Sequence, residues 1–298
     1  MKGGTAAVVG AGIASSALAG GTVLSGCDKS MNEKNRSRFK SVSTKKSNNK
    51  KDNSKTILIK GGQILNVFTG ELETKNVLIK GEIIEAVGNY DKADQVIDAK
   101  GKTIVPSFID SHMHIESSHL TPPEFSKIVV PHGTGAVVTD PHEIANICGV
   151  DGIQYMMQTS VDLPMDVYFT LPSCVPSSKF DESGANLSAD ELYPLYDYEN
   201  VVGLSEVMDF PAVINREESV MKKIEDAKNN HVIVCGHAPG LRGEELQKYV
   251  AAGIVDDHEC STFDEAVDKL NCGQTIIIRE GSSAKNLPNL AGLFNDKY

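Results

Sequence analysis

Short apolar runs broken by glycine open the body of the chain. Thr56-Ile57-Leu58-Ile59-Lys60, Asn76–Lys80, Glu82–Val87 and Gln95–Asp98 are punctuated by Gly61-Gly62, Gly70, Gly81 and Gly88. Runs of this length bounded by glycine read as strands and turns. Residues 56–103 are therefore expected to form a small antiparallel β unit, part of a sandwich, too small to be comfortable alone. After Gly101 the pattern changes. Apolar runs at Ile104–Asp110, Gly135–Asp140, Val167–Ser173, Val201–Glu206, Val232–His237, Ile254–His258 and Thr275–Glu280 start 31, 32, 34, 31, 22 and 21 residues apart. Buried strands separated by helix-sized gaps indicate βα repeats around a parallel sheet. Seven such units are one short of the eight that close a TIM-type barrel. The expected fold is α/β: an incomplete TIM-type (β/α) barrel over 104–298, seven strands of eight, with a small N-terminal β domain.

The first 55 residues follow neither pattern. Gly3 to Cys27 carries no charge, follows Lys2 and closes on Leu24-Ser25-Gly26-Cys27. A charged start, an apolar run and a small-residue site are features of an export signal, and the last four residues resemble a bacterial lipobox. Residues 1–27 are thus expected to be a leader and Cys27 a lipidated membrane anchor. Residues 28–55 are rich in Lys, Ser and Asn and nearly devoid of large apolar side chains, as expected of a disordered, solvated tether. The formal net charge of the whole chain is -11 despite this basic stretch, so the body is acidic. That argues against a nucleic-acid-binding surface. The 6 cysteines contain no Cys-x-x-Cys pair, and several lie in or beside apolar runs, so buried free thiols are expected.

Candidate chemistry gathers where the strands end. Five of the 8 histidines (His112, His114, His142, His237 and His258) fall within a few residues of a strand end. In a barrel all those ends face one mouth, where active sites are built. His112 and His114 stand at i and i+2, so one strand can present both imidazoles to one ion. His237 and His258 end later strands and add nitrogen ligands, and Glu206 ends the strand roughly opposite and could bridge two ions. Imidazole with carboxylate suits zinc, manganese or iron. Two such ions would activate a shared water, a nucleophile that needs no Ser or Cys. No Gly-x-Ser-x-Gly, Walker loop or Gly-x-Gly-x-x-Gly stands where competing chemistries would need it.

The run Val105-Pro106-Ser107-Phe108-Ile109-Asp110-Ser111-His112-Met113-His114-Ile115-Glu116-Ser117-Ser118 resembles the opening of the amidohydrolase superfamily barrel, and specifically its bacterial adenine deaminase branch. Asp140-Pro141-His142-Glu143-Ile144-Ala145-Asn146, Gly236-His237-Ala238-Pro239-Gly240-Leu241, Asp257-His258-Glu259-Cys260 and Arg279-Glu280-Gly281-Ser282 are similar to the same branch, over about residues 56–293. The resemblance implies a binuclear centre. His112 and His114 would hold one ion, His237 and His258 the other, with Glu206 bridging. The ions would be two divalent metals, manganese or iron foremost, with zinc also suited. Glu206 and His237 would act in catalysis, and His142, Glu143 and Arg279, by position, on the substrate side. The implied reaction is hydrolytic deamination of adenine, the free purine base, to hypoxanthine and ammonia. The family's eighth strand, with an Asp that moves protons, has no counterpart in the 298 residues, so a C-terminally truncated chain of impaired activity is expected. Action on another aminated base or cyclic amide, and an inactive metal-binding remnant, stay open as alternatives, as does self-association. The family implies a cytoplasmic location, whereas the leader favours membrane anchoring. Two positions depart from the family pattern: Ser107 stands for an expected glycine and Gly135 for an expected threonine, both beside strands and both expected to be tolerated.

Overall fold

The computed structural model describes residues 55–178 and 180–295. The expected leader, Cys27 and nearly all of the basic tether lie outside them. The chain divides into two compact units. One comprises the residues up to Ile109 with Ser126–Ala136 and Val161–Asp166, the other Asp110–Phe125, Val137–Ser160 and the chain from Val167 on.

The first unit contains β1 (Thr56–Lys60), β2 (Gln63–Leu65), β3 (Leu72–Glu73), β4 (Asn76–Lys80), β5 (Ile83–Gly88), β6 (Gln95–Asp98) and β7 (Thr103–Ile104). They form two sheets, ordered β5-β4-β1-β6 and β3-β2-β7. The expectation of a purely antiparallel unit is corrected. β1 pairs with β6, and β2 with β7, in parallel. Parallel pairs need a crossover, and the intervening strands supply it. Ile59, Val77 and Ala99 form the buried centre, with Ile64, Ile79, Ile97 and Ile104 packed on it.

The two departures from the family pattern meet in this unit. A Cβ added at Gly135 would lie 2.5 Å from Ser107 Cβ and strike its hydroxyl. Ser107 thus fills the space that a threonine at 135 would need, and the two changes compensate. Gly135→Thr alone is expected to destabilise by about 1–3 kcal/mol through overpacking. Adding Ser107→Gly should return most of that, a coupling that a double-mutant cycle of urea melts reads directly. Additive effects of the two changes would show the residues to be independent.

The second unit is built on β8 (Phe108–Met113), β9 (Thr134–Thr139), β10 (Asp166–Leu171), β11 (Val201–Val207) and β12 (Ile233–Gly236), one sheet in the order β12-β11-β10-β9-β8. The first residues of β8 to β10 belong to the first unit. β10, β11 and β12 run parallel. β13 (Asp256–Asp257) and β14 (Thr275–Ile276) form a separate parallel pair. A backbone hydrogen bond from Val255 N to Val234 O (3.0 Å) links that pair to the main sheet. The approach is close at Gly236, where a side chain would strike Asp256 O and lie 2.8 Å from Ile254 Cγ2. Helices α1 (Pro122–Val129), α2 (His142–Thr159, kinked at Gly149), α3 (Ala189–Leu192), α4 (Phe210–Ile214), α5 (Glu218–Asn229), α6 (Gly243–Ala251) and α7 (Phe263–Asn271) alternate with the strands. On α5, Val220, Ile224 and Ala227 recur at helical spacing and are buried against Leu204 of β11 and Val234 of β12. This succession is that of part of a TIM-type barrel.

The first barrel strand begins later than its apolar run suggests, at Phe108 rather than Ile104. Pro106 has no N–H for a ladder, and Thr103–Ile104 pairs instead with β2. The last two strands are only two residues long. Cys174, Cys235 and Cys260 are buried free thiols, but Cys148 is exposed. Among the described residues no helix is long and apolar enough to cross a membrane.

Candidate metal centre

Glu206, near the end of β11, is 2 % exposed and sits among five imidazoles. Its two oxygens face different groups. Oε1 lies 3.0 Å from His114 Nε2, 3.2 Å from His142 Nδ1 and 3.9 Å from His112 Nε2. Oε2 lies 2.7 Å from His237 Nδ1 and 3.1 Å from His258 Nε2. One carboxylate therefore joins two nests of nitrogen donors. Its backbone is fixed as well: Ser173 Oγ donates to Glu206 O (2.8 Å), and buried Lys223 donates to Ser173 O (2.7 Å).

The strand period accounts for the first pair. His112 lies within β8 and His114 just beyond it, with ring centroids 5.0 Å apart. His114 Nδ1 lies 3.0 Å from Asp140 O. Donation to that carbonyl leaves Nε2 available to a cation, the usual means of orienting a metal-binding imidazole. His112 stacks on His258 at 3.7 Å. His237 N donates to Tyr249 Oη (2.9 Å), which in turn donates to Val207 O (2.8 Å), tying His237 to the strand that carries Glu206.

These contacts spread the titrations of the cluster apart. Burial pushes the Glu206 carboxyl up, but the surrounding imidazoles outweigh it and hold it well below the usual carboxylate range. Burial pushes His114 and His142 down, while Glu206 and Asp140 lift them further, to about 9 and about 11. Burial, reinforced by His258, pushes His112 down to about 3, leaving a neutral imidazole.

The donors fit a divalent cation. His112 Nε2, Glu206 Oε1, Asp140 Oδ1 and His258 Nδ1 are buried without a hydrogen-bond partner of good geometry. Buried lone pairs left unmatched are costly, and a cation satisfies converging ones together. Among the described residues three groups have ligand atoms within 4.8 Å of one another: His114, Asp140, His142 and Glu206; His112, Glu206 and His258; His237, His258 and Glu259. Nitrogen with carboxylate oxygen is the donor set of borderline divalent ions.

All five residues expected as ligands, His112, His114, Glu206, His237 and His258, are brought together. His142, expected on the substrate side, lies inside the cluster, with Nδ1 2.7 Å from Asp140 Oδ2. Glu143, at the start of α2, accepts a hydrogen bond from Ser117 Oγ. Arg279 forms a two-pronged ion pair with Glu259, Nη2 lying 2.7 Å from Oε2. Glu259 Oε1 is 3.8 Å from both His237 Nδ1 and His258 Nε2. Sequence reasoning missed Asp140 and Glu259. The signal available was position, since each stands beside a strand-end histidine.

The sequence model of the amidohydrolase family matches residues 103–284. An adenine deaminase of Clostridium acetobutylicum is 47 % identical over 242 residues, 81 % of this chain and 42 % of that protein. One of Oceanobacillus iheyensis is 45 % identical over 241 residues, 81 % and 41 %. The chain thus spans about 42 % of the length of the curated relatives it matches. Among solved structures, a triazine hydrolase from Arthrobacter aurescens superposes with a TM-score of 0.52 at 15 % identity, covering 80 % of this chain and 74 % of that one. An N-acyl-D-glutamate deacylase from Bordetella bronchiseptica, complexed with zinc, gives 0.50 at 14 %, covering 75 % and 57 %. At such identities the likeness is one of fold. A family match over most of the second unit, the fold shared with these hydrolases and a buried His/Asp/Glu cluster at the strand ends agree: this chain belongs to the amidohydrolase family.

Proposed function

We propose that this chain carries the metal-binding part of an adenine deaminase and that its centre holds two divalent ions. The observation that carries the reading is Glu206, whose oxygens face separate imidazole nests, in a chain 47 % identical to an adenine deaminase. Glu206 would be shared by the two ions, with His112 and His114 holding one and His237 and His258 the other. Asp140 and His142 adjoin the first side, and Glu259, held by Arg279, the second. Manganese or iron suits this donor set, and zinc, found in the deacylase structure, is a further candidate. We read β13 and β14 as continuing the barrel sheet, giving seven strands.

Bound there, divalent ions would supply Lewis acidity and lower the pKa of a water. The chain's own residues orient the reaction. Glu206 and His237 face the reacting centre and hold it in a fixed polar frame. Water oxygen bonds to C6 of adenine, the C6–N6 bond breaks, and N6 leaves as ammonia. One water proton leaves on ammonia and the other ends on N1 of hypoxanthine.

The protein produced from its own gene and reconstituted with Mn(II) or Fe(II) is expected to release ammonia and hypoxanthine in equal amounts from adenine, and to leave adenosine unchanged. Chromatography of a panel of free bases, nucleosides and cyclic amides checks this. Turnover of cytosine or a cyclic amide with none of adenine would replace the reading by another amidohydrolase activity.

A further inference from the structure

The loops that carry His237 and His258 are held by a group of charges with no direct part in the cluster. Lys269 of α7 is fully buried, and its ammonium uses all three donors: Ala238 O at 2.7 Å, Asp257 Oδ2 at 3.0 Å and Glu265 Oε1 at 2.8 Å. The two carboxylates spend their remaining capacity on backbone. Asp257 takes Ala238 N on Oδ2 (2.9 Å) and Glu259 N on Oδ1 (2.7 Å). Glu265 takes Gly240 N on Oε1 (2.8 Å) and Ser261 N on Oε2 (3.3 Å). The bonded amides follow His237 at one and three residues and His258 at one and three residues. A buried ion group is a weak source of stability, because desolvation consumes most of its attraction. Its directional bonds, by contrast, fix geometry. Every one that leaves this group goes to a histidine-bearing loop.

We propose that Lys269, Asp257 and Glu265 form a buried clamp that sets the His237 and His258 loops in metal-binding register before an ion arrives, with Lys269 as a positioning residue. The proposal rests on the metal reading of the cluster and adds to it that the second nest is preformed by α7 rather than assembled by the ion.

Amide hydrogen exchange on the metal-stripped chain tests preformation without a variant. The amides of Ala238, Gly240, Glu259 and Ser261 are expected to be protected already, and to change little when Mn(II) is added. Free exchange that slows only on metal addition overturns the clamp while leaving the metal site intact. Protected amides in a chain that binds no metal would instead remove the proposed function and leave the clamp standing. Lys269→Met, which keeps the straight side chain and removes the charge, separates positioning from mere stability. It is expected to weaken metal affinity about 10–100-fold, the usual effect of losing an outer-shell partner. Ile153→Ala, a buried apolar truncation on α2, should lower the melting temperature with affinity unchanged. Equal affinity in Lys269→Met and the unaltered chain counts against the proposal. Should Lys269→Met not fold, the exchange pattern of the unaltered chain decides.

Discussion

Glu206→Gln is expected to abolish tight binding of divalent metal. Glutamine has nearly the shape of glutamate, so the packing around position 206, which is 2 % exposed, survives. What changes is the charge and the donor pattern. One of the two atoms facing the imidazoles becomes an N–H donor, and neither oxygen-side nest keeps its anion. Losing an outer-shell partner costs about 10–100-fold in affinity. A residue that faces both nests is expected to cost at least the upper end of that range, about 100-fold or more. Glu206→Asp separates reach from charge. Shorter by one methylene, it keeps the anion but cannot approach both nests together, so partial metal content is expected. Metal analysis after desalting, with circular dichroism to confirm folding, checks both variants. A folded Glu206→Gln chain with its full complement of metal would remove Glu206 from the centre.

The parts of this centre that sequence made legible share one property: local periodicity decides them. His112 and His114 face one way because a strand repeats every two residues. Glu206, His237 and His258 were readable because each closes an apolar run, and parallel strands bring such ends to one side. Asp140 and Glu259 stand beside the same histidines, yet a carboxylate at a strand end has many partners open to it. Only the contact with His142, or with Arg279 twenty residues on, selects one. The sense of pairing in the first unit was hidden for a similar reason. Alternation of apolar and polar residues is the same in parallel and antiparallel strands, so β1 and β6 carried no local mark of their direction. Ser107 and Gly135 show the limit most clearly. Each looks tolerable when read along the chain, and only their contact across 28 residues shows that Gly135 leaves the room Ser107 occupies.

Stripping the centre of divalent metal is expected to lower the melting temperature by about 8–16 °C. An ion that binds the folded chain and not the unfolded one stabilises by RT ln(1 + [L]/Kd), about 4.1 kcal/mol at a free concentration 1,000 times Kd. For a domain of roughly 150–250 residues each kcal/mol moves the midpoint by about 2–4 °C. The stripped chain should still melt cooperatively, because the apolar core around Leu204, Ile224, Val234 and Tyr249 needs no ion. Glu206 also keeps hydrogen-bonding contacts with His237 and His258 there. The identity of the restoring ion follows from the donors. Mn(II), Fe(II) and Zn(II) accept imidazole nitrogen, whereas Mg(II) and Ca(II) prefer oxygen and dehydrate or fit poorly in a nitrogen-rich nest. Calorimetry after chelation and readdition should therefore recover the lost midpoint with the first three ions and not with the last two. The His112→Asn/His114→Asn double variant should melt at nearly the same temperature with or without chelator if the ions act through this cluster. Full recovery by magnesium, or no loss on chelation, would mean that the imidazoles around Glu206 hold no ion.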